Sequence, residues 1–325
     1  MAEPRKAPRA PIVLDRAFDD PSLVRTLVAR GGPYWTVQRY LANVSEMASL
    51  SDAGKVAPDR PMMIAPWFRG DWAFDGPKVE GVEPILGDAG FADAARRLFD
   101  AEVVVPQQVY VNLNPPMPQL DPGHVDIPTF RGVDRTNTPV WLLAIMLKSG
   151  LFEPWYVPIA TAVAWFYEGS GGGFRYWPDG PDARPIDRPC RSNSAIVGDN
   201  DRMFHAVLAI GDSPTFVRGM TLESKLYVAD DEAVIVDAGT TLARFPYDAI
   251  RISVSWKALT FTSDAERARF ASGRDALTHA DVERTLLADL ARRGVDATPP
   301  GDLLRDRAFV DRLNTVYGFG PTVFA

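Results

Sequence analysis

From Glu102 to Phe261 the chain consists largely of short β-branched and aromatic runs, broken by turns rich in Gly and Pro. The runs at 103–105, 109–113, 140–146, 156–167, 174–177, 194–199, 203–210, 222–228, 233–245 and 250–261 all carry strand signals. Many short strands in succession bury their apolar faces only as a sandwich or a barrel. The spacing predicts that 194–199 and 203–210 pair around a polar turn, and that 222–228 and 233–245 form a hairpin.

The flanks read differently. Asp20 and Pro21 open a helix that Gly31 and Gly32 close. A second helix is expected over 88–100, where Phe91, Ala94, Ala95, Leu98 and Phe99 form one apolar stripe. Met47, Met62, Met63, Trp67 and Trp72 read as core filler. Beyond residue 262 the pattern is helical again. Thr278 and Asp281 stand at capping-box spacing, and a last helix is expected over 302–317. The division that follows is a disordered arm at 1–12, a β domain with N-terminal helices at 13–262, and a helical appendage at 263–325. The appendage is expected to pack on the β domain or to make a homodimer contact.

A net charge of −7 with a pI near 5.1 argues against a nucleic-acid partner, which needs a basic footprint. The longest apolar runs are too short to span a bilayer. Cys190 stands alone, the N-terminus has no apolar segment after its charges, and a cytoplasmic setting is the expectation.

One stretch carries chemistry. In Gln119-Leu120-Asp121-Pro122-Gly123-His124-Val125-Asp126, a histidine and an aspartate stand two residues apart after a strand-like run. Positions i and i+2 of a strand share a face, so both side chains can reach one metal ion. The chain has three histidines. His279-Ala280-Asp281 repeats the spacing, but at a helix start, where i and i+2 diverge. His205 remains as the third ligand. Two histidines and one carboxylate form a facial set of the kind that suits non-haem Fe(II). Further on, Arg251 and Ser253 alternate with Ile252, Val254 and Trp256, which places the arginine on the face opposite an apolar one. A buried arginine needs an anion, and a guanidinium fork beside a hydroxyl suits a carboxylate.

His124-Val125-Asp126, the distant His205 and Arg251-Ile252-Ser253 together resemble the Fe(II)/2-oxoglutarate-dependent dioxygenases. The resemblance spans roughly residues 103–261. It implies a double-stranded β-helix (jelly-roll, cupin-like) core, mainly β with flanking helices, and an oxidoreductase using Fe(II), 2-oxoglutarate and O₂. His124, Asp126 and His205 would hold the iron, while Arg251 and Ser253 would hold the far carboxylate of 2-oxoglutarate. The family's arginine usually follows the distal histidine closely, so Arg218 is the competing anchor unless an insertion separates the last two strands. Because Asp126 is retained, the resemblance implies hydroxylation or a related oxidation rather than halogenation.

The expected substrate is a small molecule. Arg131 and Arg175, with Trp177, fall in segments expected near the mouth, and would suit an organic acid such as an amino acid derivative. A solvated arginine surface explains them equally well. The alternative function is a cupin-type metalloenzyme, an isomerase or dioxygenase that does not use 2-oxoglutarate.

Overall fold

The computed structural model describes residues 7–37, 65–120, 123–212, 216–229, 231–317 and 323–324. Met47, Met62 and Met63 lie outside them, as do residues 1–6 of the N-terminal arm. Eight strands make the core: β1 (Val103–Asn114), β2 (His124–Val125), β3 (Ile159–Phe166), β4 (Phe174–Trp177), β5 (Ile186–Arg188), β6 (Ser194–Gly198), β7 (Phe204–Val207) and β8 (Arg251–Phe261). One sheet contains the order β6-β3-β8-β1 and the other β5-β4-β7-β2. The first strand thus pairs with the eighth, the second with the seventh, the third with the sixth and the fourth with the fifth, all antiparallel. This nested pairing is the double-stranded β-helix, or jelly roll.

The larger sheet grows at both ends. Ile12–Leu14 adds to β6, and Phe68–Phe74 adds to β1. Tyr34–Thr36 and a meander of Lys225–Ala229, Glu232–Asp237 and Thr240–Pro246 follow. The expected hairpin is therefore a three-stranded insertion between β7 and β8. At the other end, Arg9 donates to the Leu98 carbonyl, which ties down the described part of the arm just before its strand begins.

Alternation on the large sheet separates two environments. Val109, Val111, Leu113, Val254 and Trp256 face outward and are covered by helices Ser22–Gly31 and Ala89–Phe99. Ala160, Ala162 and Ala164 of β3 lie in the same apolar cluster. The second helix starts where the sequence predicts, with the Asp88 carboxylate accepting from the Phe91 amide. The inward face is polar yet buried: Gln108, Tyr110, Asn112 and Asn114 on β1 oppose Ser253 and Arg251 on β8. Buried polar rows of this kind are uncommon in a plain packing core.

Several expected elements change. Residues 140–146 are helix, not strand: Val140–Ser149 is buried on all sides, so it carries no periodicity that would separate it from a buried strand. Residues 103–105 and 109–113 are one strand, with Pro106 accommodated at a bulge. The segments at 194–199 and 203–210 do not pair with each other, because the turn between them carries the chain from one sheet to the other. The last long helix is Arg307–Tyr317, shorter at its start than expected.

The tail packs against the buried helix. Val282, Leu286, Leu290, Phe309, Val310 and Leu313 form one apolar cluster with residues of Val140–Ser149. Thr278 and Asp281 close the capping box. His279 is half-buried, with its Nε2 2.9 Å from the Thr138 hydroxyl. Among the described residues no helix is long and apolar enough to cross a membrane.

Candidate metal centre

β2 and β7 of the smaller sheet pair in register at His124 and His205, which places both imidazoles on the inward face. Their ring centroids are 4.3 Å apart. Asp126 follows just after β2, and its backbone amide donates to the Asn200 carbonyl at 2.9 Å, which turns its side chain inward. One ligand atom from each of His124, Asp126 and His205 lies within 4.8 Å of the others, and all three residues are buried. Asp126 Oδ1 is 3.9 Å from His205 Nε2. That is less than twice a metal–ligand bond of about 2.1 Å, so one ion can touch both.

The surroundings orient this set. His205 Nδ1 lies 2.8 Å from the Met203 carbonyl, to which it can only donate, and this leaves Nε2 as the ligand atom. Asp126 Oδ2 accepts from Lys257 Nζ at 2.7 Å and from the Thr161 hydroxyl at 3.4 Å, so Oδ1 faces the histidines. Burial alone would raise the pKa of Asp126. The Lys257 ammonium and the two imidazoles outweigh it and hold the carboxyl well below its ordinary range. The carboxylate is therefore ionised and the three ligand atoms are aimed at one point, as a divalent ion requires.

The cavity around these residues, about 430 Å³, is also lined by Arg251, Ser253, Asn112 and Tyr110. Arg251 is 1% exposed. Its Nε donates to the Gly172 carbonyl at 2.6 Å and its Nη1 to the Ser253 hydroxyl at 3.3 Å. Among the described residues no carboxylate pairs with it, and burial lowers its pKa. Gly172 is required where it stands. Its φ is +66°, and a Cβ there would come within 2.7 Å of Arg251 Cδ. On β1, in register with Arg251, the buried amide of Asn114 has no hydrogen-bond partner for its oxygen or its nitrogen among the described residues. Polar groups left open in this way beside a buried cation fit an anionic ligand.

The other expected site residues lie elsewhere. Arg218 is exposed and does not line the cavity. Arg131 is buried against the Pro154 carbonyl and also lies outside it. Arg175 and Trp177 alternate with Phe174 and Tyr176 on β4, and it is Phe174 that faces the cavity. The arginine is turned outward into a two-pronged pair with Asp187, and Trp177 packs edge-on against Phe204. Lys257, Thr161, Tyr110 and Asn112 were not singled out in the sequence. Lys257 had a legible signal, because it continues the face of β8 that carries Arg251, Ser253 and Ser255.

No protein-family model matches this chain, and no curated protein matches it. Solved structures similar to this chain include a Pseudomonas putida prolyl-4-hydroxylase, at 14% identity over 78% of this chain and 94% of that one, with a TM-score of 0.37. An oxidoreductase of the 2OG-Fe(II) oxygenase family from Burkholderia pseudomallei aligns at 13% identity over 78% of this chain and 86% of that one, with a TM-score of 0.41. HygX from Streptomyces hygroscopicus, solved with nickel, 2-oxoglutarate and hygromycin B, aligns at 11% over 78% and 83%, with a TM-score of 0.38. At this distance the function is drawn from the geometry of the site.

Proposed function

We propose that the protein is an Fe(II)- and 2-oxoglutarate-dependent oxygenase that oxidises an unactivated C–H bond of a small molecule. The observation that carries this reading is Arg251: a buried guanidinium with no carboxylate partner among the described residues, in the cavity that holds His124, Asp126 and His205. A cupin-type metalloenzyme that does not use 2-oxoglutarate would need the three ligands but not the buried cation.

His124, Asp126 and His205 would hold Fe(II) on one face and leave the opposite positions open. With O₂ and 2-oxoglutarate the iron supplies oxidative decarboxylation: 2-oxoglutarate, O₂ and R–H become succinate, CO₂ and R–OH. Arg251 and Ser253 bind the far carboxylate of the co-substrate and so fix its keto acid end toward the metal. Lys257 and Thr161 keep one oxygen of Asp126 occupied, leaving the other for the ion. Met203 holds His205 in the ligating tautomer.

The test is an anaerobic titration with Fe(II) and then 2-oxoglutarate, following the visible charge-transfer absorption of the chelate. The band is expected in wild type, absent in His124→Ala, and shifted to far higher 2-oxoglutarate in Arg251→Ala. Bound iron with no band would reject 2-oxoglutarate as co-substrate and favour the cupin-type alternative.

A further inference from the structure

The smaller sheet does not end at β2. Val323–Phe324, which follows the last helix, lies parallel beside it, with Val323 in register with His124 and Phe324 with Val125. β2 is two residues long, and on its other side β7 meets it at a single pair, His124 with His205. Most of the ladder that fixes the backbone of His124 therefore comes from the tail. Without Val323–Phe324, β2 would be an open edge.

Side chains repeat this arrangement. His124 and Asp126 line the metal cavity, and Val125 between them faces the other way. Val125 is buried in the same apolar cluster as Leu286, Leu290, Phe309, Val310 and Leu313 of the tail. Phe204, the residue before His205, packs against that cluster too. Its ring also lies on Gly123, whose φ is +110°, and a Cβ at that position would run into it. Each of the three ligands thus has a chain neighbour seated on the tail. The tail is itself held in one orientation. The buried Asp289 carboxylate accepts from the Tyr317 hydroxyl at 2.9 Å and from Arg293 Nε at 2.6 Å. This ties the last turn of Arg307–Tyr317 to helix His279–Arg292, a few positions before Val323. At the near end of the tail, the Leu277 amide donates to the Arg131 carbonyl at 2.8 Å.

We infer that the tail positions the metal ligands: the main chain of Val323–Phe324 holds His124 from the side of β2, and the tail's apolar cluster holds Val125 and Phe204 from behind. Ligand atoms must be held to a fraction of an ångström, and the shell behind them does this. The inference rests on the metal reading of His124, Asp126 and His205, and goes beyond it by making metal affinity depend on a segment far along the chain. The coupling is reciprocal: a docked tail tightens the ion, and a bound ion tightens the tail.

The experiment measures Mn(II) affinity of the full chain by isothermal titration, at a temperature where every variant is folded. Val323→Pro with Phe324→Pro removes both strand amides, and Leu313→Ala loosens the buried cluster. Each is expected to raise the Mn(II) Kd by about tenfold. Leu27→Ala is the control for lost stability alone. Leu27 is equally buried but lies on helix Ser22–Gly31, against the outward face of the other sheet, and its variant is expected to bind Mn(II) as wild type does. In wild type, Mn(II) is expected to slow hydrogen exchange across residues 307–324 more than across 22–31. A Kd unchanged in both tail variants, or raised as much by Leu27→Ala, would overturn the inference. So would tail amides that exchange equally fast with and without the ion. Wild type that binds no Mn(II), or binds it as well after His124→Ala, would overturn the metal reading together with the inference. Mn(II) held through His124 with equal Kd in the tail variants would overturn only the inference.

Discussion

Replacing Arg251 by methionine separates two effects of opposite sign. This guanidinium makes one short bond to the Gly172 carbonyl, one long bond to the Ser253 hydroxyl and a weak hydrogen-bonded contact with the Cys190 thiol. Bonds from a charged donor contribute about 1.5–3 kcal/mol each, the long one at the weak end. Against them stands the desolvation of a cation, still several kcal/mol after relaxation. The two nearly cancel, so ligand-free Arg251→Met is expected to unfold within about 1 kcal/mol of wild type. Binding behaves differently. Without the buried counter-charge, the far carboxylate of 2-oxoglutarate loses about 2–5 kcal/mol, and Kd rises by roughly 30-fold to several thousandfold. Thermal unfolding with Mn(II) as a redox-inert ion reads both. At a hundred times its Kd, 2-oxoglutarate stabilises wild type by about 2.7 kcal/mol, a rise of roughly 4 °C in Tm for a chain of 325 residues. At the same concentration the variant gains less than about 1 kcal/mol. A ligand-free loss of about 3–5 kcal/mol would show that Arg251 already has a counter-charge. An unchanged ligand-induced shift would place the carboxylate elsewhere.

Lys257→Met leaves Asp126 buried without its cation, and should destabilise the metal-free protein by about 3–5 kcal/mol; Mn(II), supplying the missing charge, should recover most of this in urea unfolding. Gly172→Ala forces a left-handed alanine against Arg251, and should raise Kd for 2-oxoglutarate by about tenfold while leaving metal affinity near wild type; isothermal titration of each ligand checks it. Asp201 is buried, and desolvation pushes its carboxyl well above the ordinary range, with Asp126 and Asp199 adding to the rise despite Lys257. A raised folded-state pKa gives stability that is full below the unfolded pKa and is lost as pH rises through the folded one. Asp201→Asn should therefore stabilise the protein more at pH 8 than at pH 4, and equal gains at both would refute the assignment.

The strand grammar made a two-sheet β core legible, because alternation and Gly/Pro turns report burial directly. It misread the 140–146 segment for a physical reason: a helix buried on every side erases the periodicity that identifies it. It also paired 194–199 with 203–210, since nearness in sequence suggests a hairpin where a jelly roll instead changes sheets. The cavity brings together His124, Asp126, His205, Arg251 and Ser253: strand parity pointed to His124 with Asp126 and to Arg251 with Ser253, and His205 entered as the histidine that remained. Parity also turns Arg175 and Trp177 away from the cavity. Lys257 was passed over because its meaning is three-dimensional: it sits on a carboxylate 131 positions away.

The nested pairing has a consequence for how the protein is made. β1 has Phe68–Phe74 beside it from the start, but it gains its partner within the roll only when β8 exists, and β2 only when β7 does. A ribosome therefore delivers His124, Asp126 and His205 well before Arg251. The ion's ligands can meet while the barrel is still open, and the strand that closes the roll brings with it both the Arg251 anchor and Lys257. Contacts this distant in sequence form slowly and leave edges exposed in the meantime. A divalent ion that bridges β2 and the end of β7 early would hold the smaller sheet together while the chain waits for its last strand.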